Sequence, residues 1–315
     1  MIRTLLLAFV LIPAAYAQAS DIPRTADGRP DFQGYWSNEF LTPLERIKGA
    51  SALVISDAEA ETLVDGIRAE RATDKFEEAT AVPEAKQLAR VRGEWRTSLI
   101  FDPPDGLLPL TPRGQAQRAA FPVMNDRTAG NPEERGNTER CLAGPSRAPI
   151  LIPVEGMFNQ IVQTPDAFVF LPDHFNDVRI VRIGGKHGPA ELTSWVGDSI
   201  ANWDGDTLVV ETTHLRPDES ARQRVVMGPQ SRVVERFRYV SPNELLYQFT
   251  IEDFALYAQP WKAEYSFTRT TLPPHEFGCH EGNHGLEGIL RGARVAEERA
   301  IREQSNNQPA PKAKP

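Results

Sequence analysis

Between residues 158 and 270 apolar and polar residues alternate with a period of two, in short runs separated by turn residues. Successive side chains on a strand point to opposite faces, so this pattern calls for strands with one buried face. Candidate strands are Phe158–Thr164, Ala167–Leu171, Asp177–Ile183, Leu192–Val196, Asp198–Trp203, Thr207–Thr213, Ser231–Val240, Glu244–Glu252 and Lys262–Thr270. Asp204-Gly205 is a hairpin signal, and Ser241-Pro242-Asn243 joins the next pair. Connections this short leave no room for crossover helices, so the spacing predicts an antiparallel meander. About eight strands are enough to close a barrel, which removes exposed edges. The expected fold is mainly β: an antiparallel barrel or strongly curved sheet over residues 155–271.

The last three strands show their faces. Val233, Glu235, Phe237 and Tyr239 share one face; Leu245, Tyr247, Phe249 and Ile251 share the next; Ala263, Tyr265 and Phe267 share the third. The opposite faces carry Arg232, Arg236, Arg238, Gln248, Lys262 and Glu264, so the inner face is aromatic and the outer face wet. A barrel of this size holds side chains or one small ligand. Candidate ligand contacts are Phe237, Tyr247, Phe249 and Tyr265 inside, with Trp195, Trp203, Glu252 and Trp261 at a barrel mouth. Glu235 stands out because a carboxylate on an apolar face is costly unless paired. It is either a catalytic acid/base in the cavity or half of a salt bridge to a buried arginine.

The flanks read differently. Met1-Ile2-Arg3, an apolar run from Leu5 to Ile12 and Ala15-Tyr16-Ala17 are the parts of a signal peptide over residues 1–17. That predicts a periplasmic or secreted protein starting at Gln18. The run is shorter than the roughly 20 apolar residues a membrane span needs. Residues 18–154 are expected to form an extended arm that docks Trp36, then short helices and Pro-rich loops packed on the barrel. Ser56 and Glu59 fit a capping box for a helix to about Glu78, Glu84–Arg92 reads as a second helix, and Thr111-Pro112 opens a third to about Ala120. Residues 272–304 hold a Cys-His-Glu motif and a helix, and residues 305–315 form a disordered tail. The net charge of −8, with both signs mixed along the chain, argues against nucleic acid or an anionic membrane as partner. A small-molecule ligand is the expected partner.

Half of the six histidines lie between 275 and 284, around Cys279-His280-Glu281-Gly282-Asn283-His284. Two cysteines in an exported chain suggest a Cys141–Cys279 disulfide; the alternative is a thiolate ligand at Cys279. Closing so long a loop contributes at most about 5 kcal/mol. His280-Glu281-x-x-His284 matches a zinc-hydrolase signature, with a divalent metal on His280 and His284 and Glu281 as base. Gly278 and Gly282 argue against the helix that signature needs. If the segment is helical nonetheless, Gly282, Gly285, Gly288, Ile289 and Gly292 form one stripe, expected to face the body, and the two histidines fall opposite. Gly197-Asp198-Ser199-Ile200 is similar to a serine-hydrolase nucleophile block, but it lies mid-chain with no later Asp-x-x-His and reads as a turn.

Several blocks act together: Arg24-Thr-Ala-Asp-Gly-Arg-Pro-Asp-Phe-Gln-Gly-Tyr-Trp36, Asp102-Pro-Pro-Asp-Gly106, Thr111-Pro-Arg-Gly114, Arg140-Cys141, Gln160-Ile-Val-Gln-Thr-Pro165, Trp203-Asp-Gly-Asp-Thr-Leu-Val-Val-Glu211, Pro260-Trp261 and Cys279-His-Glu-Gly-Asn283. As a set they resemble a large family of secreted bacterial proteins with the Cys-His-Glu-Gly-Asn motif, over nearly the whole mature chain. The resemblance implies export and one integrated unit, and brings no activity with it. The family more often has Tyr at the position of His284 and often has His at that of Asn176. His284 is therefore not a family-wide metal ligand, and His280, Glu281 and Asn283 stay as candidates.

Three readings follow. The first is an exported barrel that binds a small apolar or aromatic molecule, with acid/base catalysis by Glu235 or by His280 and Glu281. The second is a metal-dependent hydrolase centred on His280, Glu281 and His284. The third is a non-catalytic envelope or partner-binding protein whose arm is its interface. On export to a periplasm, intact-mass measurement is expected to give a mature chain beginning at Gln18; a chain retaining Met1 rejects the signal-peptide reading.

Overall fold

A computed structural model describes residues 22–71, 86–125, 129–136, 140–142, 146–151, 158–173, 178–216, 225–276 and 278–306. The predicted signal segment, Asn176 and the chain beyond Asn306 lie outside the described residues. The predicted alternation becomes eight consecutive strands: β6 (Phe158–Gln163), β7 (Ala167–Pro172), β8 (Arg179–Ile183), β9 (Asp198–Asp204), β10 (Thr207–Thr213), β11 (Arg232–Ser241), β12 (Glu244–Glu252) and β13 (Trp261–Thr270). A ninth strand of the wall, β1 (Gly34–Ser37), comes from the N-terminal arm. It pairs with β6 on one side and β13 on the other, which closes the barrel.

The inner faces are those the alternation assigns. Glu235 lies opposite Phe249, Phe237 opposite Tyr247, and Tyr247 opposite Tyr265. Val233, Phe237, Leu245, Tyr247, Phe249, Ile251, Trp261, Tyr265 and Phe267 are all buried, with Phe168, Phe170 and Val181 facing them from β7 and β8. Each such side chain contributes about 1.5–3 kcal/mol by leaving water. The Asp204–Thr207 hairpin turns through Gly205 and Asp206, with Gly205 in the left-handed region at φ +58°.

Two expectations about strands and helices are corrected. Leu192–Val196 is not a strand: Leu192 is exposed, and the segment makes only an isolated bridge from Ser194 to Leu215. The chain therefore crosses the outer wall after β8 and enters β9 running the same way, so β8 and β9 are parallel. The barrel is a mixed one, antiparallel at every other seam. The short helix expected over Glu84–Arg92 is replaced, in its described part, by a hairpin of β3 (Arg90–Val91) and β4 (Glu94–Arg96). Its turn is Arg92-Gly93, with φ +53° and +82°. Two successive positive φ values suit the tight primed turn that matches strand twist. Strand β4 also pairs with β2 (Val54–Ile55), making a small second sheet, and β5 (Ile100–Asp102) pairs with the first half of β13.

Helix α1 (Asp57–Arg71) starts at the expected capping box: the Ser56 amide donates to Glu59 Oε2 at 3.0 Å. It buries Ala60 and Val64 against Leu41 and Leu88, a satellite of the main core. Helix α2 (Pro112–Asn125) is capped by Thr111, whose Oγ1 accepts from the Gly114 amide at 3.2 Å. Cys141 and Cys279 are disulfide-bonded across 138 residues, tying the N-terminal flank to α3 (Cys279–Gly282) and α4 (His284–Asn306). The stripe expected to face the body splits: its glycines face outward, while its Ile289 is half-buried. Gly282, Gly285, Gly288 and Gly292 look into open space, and Ala293 on another side of α4 is the buried residue. The larger side chains Leu286, Ile289 and Leu290 offer more apolar area, and they are the half-buried positions.

Trp36 carries the closure. It is fully buried; its ring nitrogen donates to the Phe32 carbonyl at 2.9 Å, and the Arg269 guanidinium lies 4.4 Å from its ring centre. Trp36→Ala is expected to cost about 3–5 kcal/mol in urea denaturation. A loss below about 1 kcal/mol would mean that the barrel closes without the arm's anchor.

Candidate functional site

Apart from the Ser199–Thr212 pair, the polar groups described in the barrel interior centre on one extended set. Arg179, at the start of β8, points inward and meets Glu235 of β11 end on, through its two terminal nitrogens. Nη1 donates to Oε2 at 2.6 Å and Nη2 to Oε1 at 2.8 Å, with both side chains essentially inaccessible to water. Burial opposes the Arg179 charge, but the attraction and hydrogen bonds of Glu235 outweigh it and raise the guanidinium pKa above its ordinary value. The Tyr247 hydroxyl donates to Glu235 Oε1 at 2.7 Å. Burial, then the Glu235 charge, pushes the Tyr247 pKa well above its usual value, so the phenol stays protonated at neutral pH.

A segment of the Pro-rich flank enters this interior. Ala148 and Ile150 are fully buried within the barrel core. The Ile150 amide donates to the Tyr247 oxygen at 2.8 Å, and the Tyr265 hydroxyl donates to the Ile150 carbonyl at 2.7 Å. Tyr265 also has its pKa raised well above normal, first by burial. The Asn38 amide nitrogen approaches the Tyr265 hydroxyl without completing a hydrogen bond of ordinary geometry, and it is buried without a partner. Arg179 Nε is likewise buried and unpartnered. A polar network therefore runs from Asn38 past Tyr265, the Ile150 peptide groups, Tyr247 and Glu235 to Arg179, with an unmet donor at each end. Rings enclose it: Tyr247 lies 5.0 Å from both Phe237 and Tyr265, and Phe267 lies 5.1 Å from Tyr265.

Of the residues singled out from sequence, Glu235, Phe237, Tyr247, Phe249 and Tyr265 come together here. Trp261 borders them, 5.6 Å from Phe249. The others lie elsewhere. Trp195 sits under Arg216 on the outer wall, 4.1 Å from its guanidinium carbon. Trp203 stacks on Phe32 at 5.8 Å beneath the arm. Glu252 pairs with Arg232 on the outer face at 2.9 Å. Asn283 accepts from the Leu286 amide at 3.4 Å, at the N-terminus of α4, and its side chain also touches Cys141 Sγ. The helix breaks at Asn283, so His280 and His284 lie on separate helices and are exposed with Glu281. The zinc-hydrolase signature needs one continuous helix. Among the described residues no three His, Cys, Asp or Glu side chains are grouped to hold a metal ion.

Arg179, Ile150 and Asn38 were not singled out. Arg179 had a signal: in Arg179-Ile-Val-Arg-Ile183 it shares a face with Val181, so an inward arginine stood available for the inward Glu235. Ile150 had none, because it belongs to no periodic segment. A second cluster also escaped notice, on the outer wall where the crossover lies over β9 and β10. His187 bridges Asp198 and Glu211, with ring nitrogens 3.2 and 3.3 Å from their carboxylates, and His214 stacks edge-on 5.6 Å away. Burial works against the Asp198 charge, but the Gly188 amide, His187 and Arg182 outweigh it and lower its pKa. These contacts pin the crossover to the wall. Ser199 turns inward to Thr212 Oγ1 at 2.8 Å, away from that cluster.

The chain matches no protein-family model, and no curated protein matches it. Glu235→Leu alone is expected to cost about 3–5 kcal/mol in urea denaturation, because Arg179 is left charged and unpaired. Arg179→Met with Glu235→Leu should recover most of that loss. A double variant no better than the single would show that the pair itself stabilises the barrel.

Proposed function

We propose that this is an exported barrel protein that binds a small apolar or aromatic molecule inside the barrel, at the Tyr247–Tyr265 end of the polar network. The observation that carries the reading is Asn38 Nδ2, buried without a partner beside the Tyr265 hydroxyl in an aromatic enclosure; Arg179 Nε is a second unmet donor at the Glu235 end of the network. Buried donors are nearly always satisfied, and leaving one unmade costs about 1–3 kcal/mol. Apolar walls with a few convergent polar groups are the usual make-up of a ligand site. Export is supported by the Cys141–Cys279 bond, since disulfides persist in oxidising compartments. No helix among the described residues is long and apolar enough to cross a membrane.

Binding is favoured over acid/base catalysis by the state of Glu235. Both of its oxygens are taken by Arg179, and one also accepts from Tyr247. Its work is to hold Arg179 and to set the direction of the Tyr247 proton.

The test is a titration of N-phenyl-1-naphthylamine into the folded protein. A saturable, blue-shifted emission is expected, with a raised melting temperature and altered near-ultraviolet circular dichroism from the buried tyrosines. At one hundred times the dissociation constant the stabilisation is about 2.7 kcal/mol. Emission that rises only after the tertiary signal is lost would overturn the reading.

A further inference from the structure

We infer that the segment 146–151 is a built-in stand-in for the ligand, and that the ligand is an amide-linked, branched aliphatic residue such as the end of a peptide or an N-acyl amino acid. The inference rests on the reading of the barrel interior as a binding site and names what that site recognises.

Ile150 lies outside the strands, yet both of its peptide groups are satisfied, and by barrel side chains. The roles of those side chains are set by their surroundings. Tyr247 gives its proton to Glu235, which Arg179 holds in place, so towards Ile150 its oxygen can only accept. Tyr265 donates to the Ile150 carbonyl. The site thus presents one acceptor and one donor, spaced for the N–H and C=O of a single residue. At the donor end lies the unmet Asn38 nitrogen. A carbonyl has two lone pairs, so a slightly shifted amide carbonyl satisfies Tyr265 and Asn38 together. Ile150 is fully buried in the same apolar core as Phe237, Tyr247, Tyr265 and Phe267, surroundings that suit an aliphatic side chain.

An ester or a hydrocarbon of the same shape fails at a defined point. The ester offers no N–H, and the Tyr247 lone pair is then buried unpaired. Sites built around a hydrogen bond reject analogues that lack the group for this reason. A free amide residue must also compete with the tethered Ile150, so wild-type affinity is reduced by the fraction of molecules in which the segment has left.

The experiment uses calorimetry on the full mature chain with N-acetyl-L-isoleucine methylamide and its ester counterpart, in which oxygen replaces the isoleucine N–H. Weak binding of the amide to the wild type is expected, and binding at least about tenfold tighter to Ile150→Gly, where the tethered competitor has lost its side chain. In that background the ester should bind about tenfold more weakly than the amide, and Tyr247→Phe should erase the difference between the two. If Ile150→Gly does not fold, Ile150→Ala is read the same way. Equal amide and ester affinities, or no amide binding while N-phenyl-1-naphthylamine still binds, would overturn the ligand class and leave the binding reading standing. Loss of binding of all three probes to folded protein would remove both.

Discussion

A charged arginine and a charged glutamate face each other at the centre of a closed, aromatic barrel, and much of the interior is arranged around making that tolerable. Either charge alone would carry a penalty of several kcal/mol there. Arg179 and Glu235 meet in the two-bond geometry that suits a guanidinium and a carboxylate. Tyr247 completes the carboxylate, and its committed proton leaves a lone pair for the Ile150 amide. The Ile150 carbonyl in turn gives Tyr265 its acceptor. Each group is held in one role by the next.

That order depends on the barrel being shut. Water reaching Arg179 and Glu235 would screen the pair and weaken every bond in the network. The shutting is done by chain from outside the meander. Strand β1 fills the gap between β6 and β13, and the Gln163 side chain holds the arm by bonding the Phe32 amide and the Pro30 carbonyl. Arg24 reaches across to Asp206 at the β9–β10 hairpin. On the other flank, the Cys141–Cys279 bond ties the Pro-rich flank to the C-terminal helices. Arm, disulfide and inserted segment come from regions without strand periodicity, yet they decide what the interior contains.

Much of the site was legible, unevenly. The inward face of β11 to β13 could be read residue by residue, because a half-buried strand alternates and any slip of one position would put Phe237 and Tyr247 in water. Glu235 was visible as the charge that broke the pattern, and the salt-bridge alternative anticipated its partner's type. The motif that looked most like chemistry, His280-Glu281-x-x-His284, turned out to straddle a helix break at Asn283, whose side chain caps the start of α4. Spacing in a sequence means a shared face only if one element spans it.

Local periodicity and turn residues by themselves determined eight of the nine candidate strands, the inner faces of the last three and the starts of α1 and α2, and the two cysteines offered the disulfide as one of two readings. All of these are set by near neighbours or, for the disulfide, by there being only two thiols to join. Only the tertiary structure decided that β8 and β9 run parallel, that the arm supplies the closing strand, that Arg179 is the partner of Glu235, and that Ile150 sits between Tyr247 and Tyr265. Those choices join residues far apart in the chain. They follow from which pairing gives the buried Arg179 and Glu235 each other and covers the free edges of β6 and β13, a condition on the whole molecule that no short window of sequence contains.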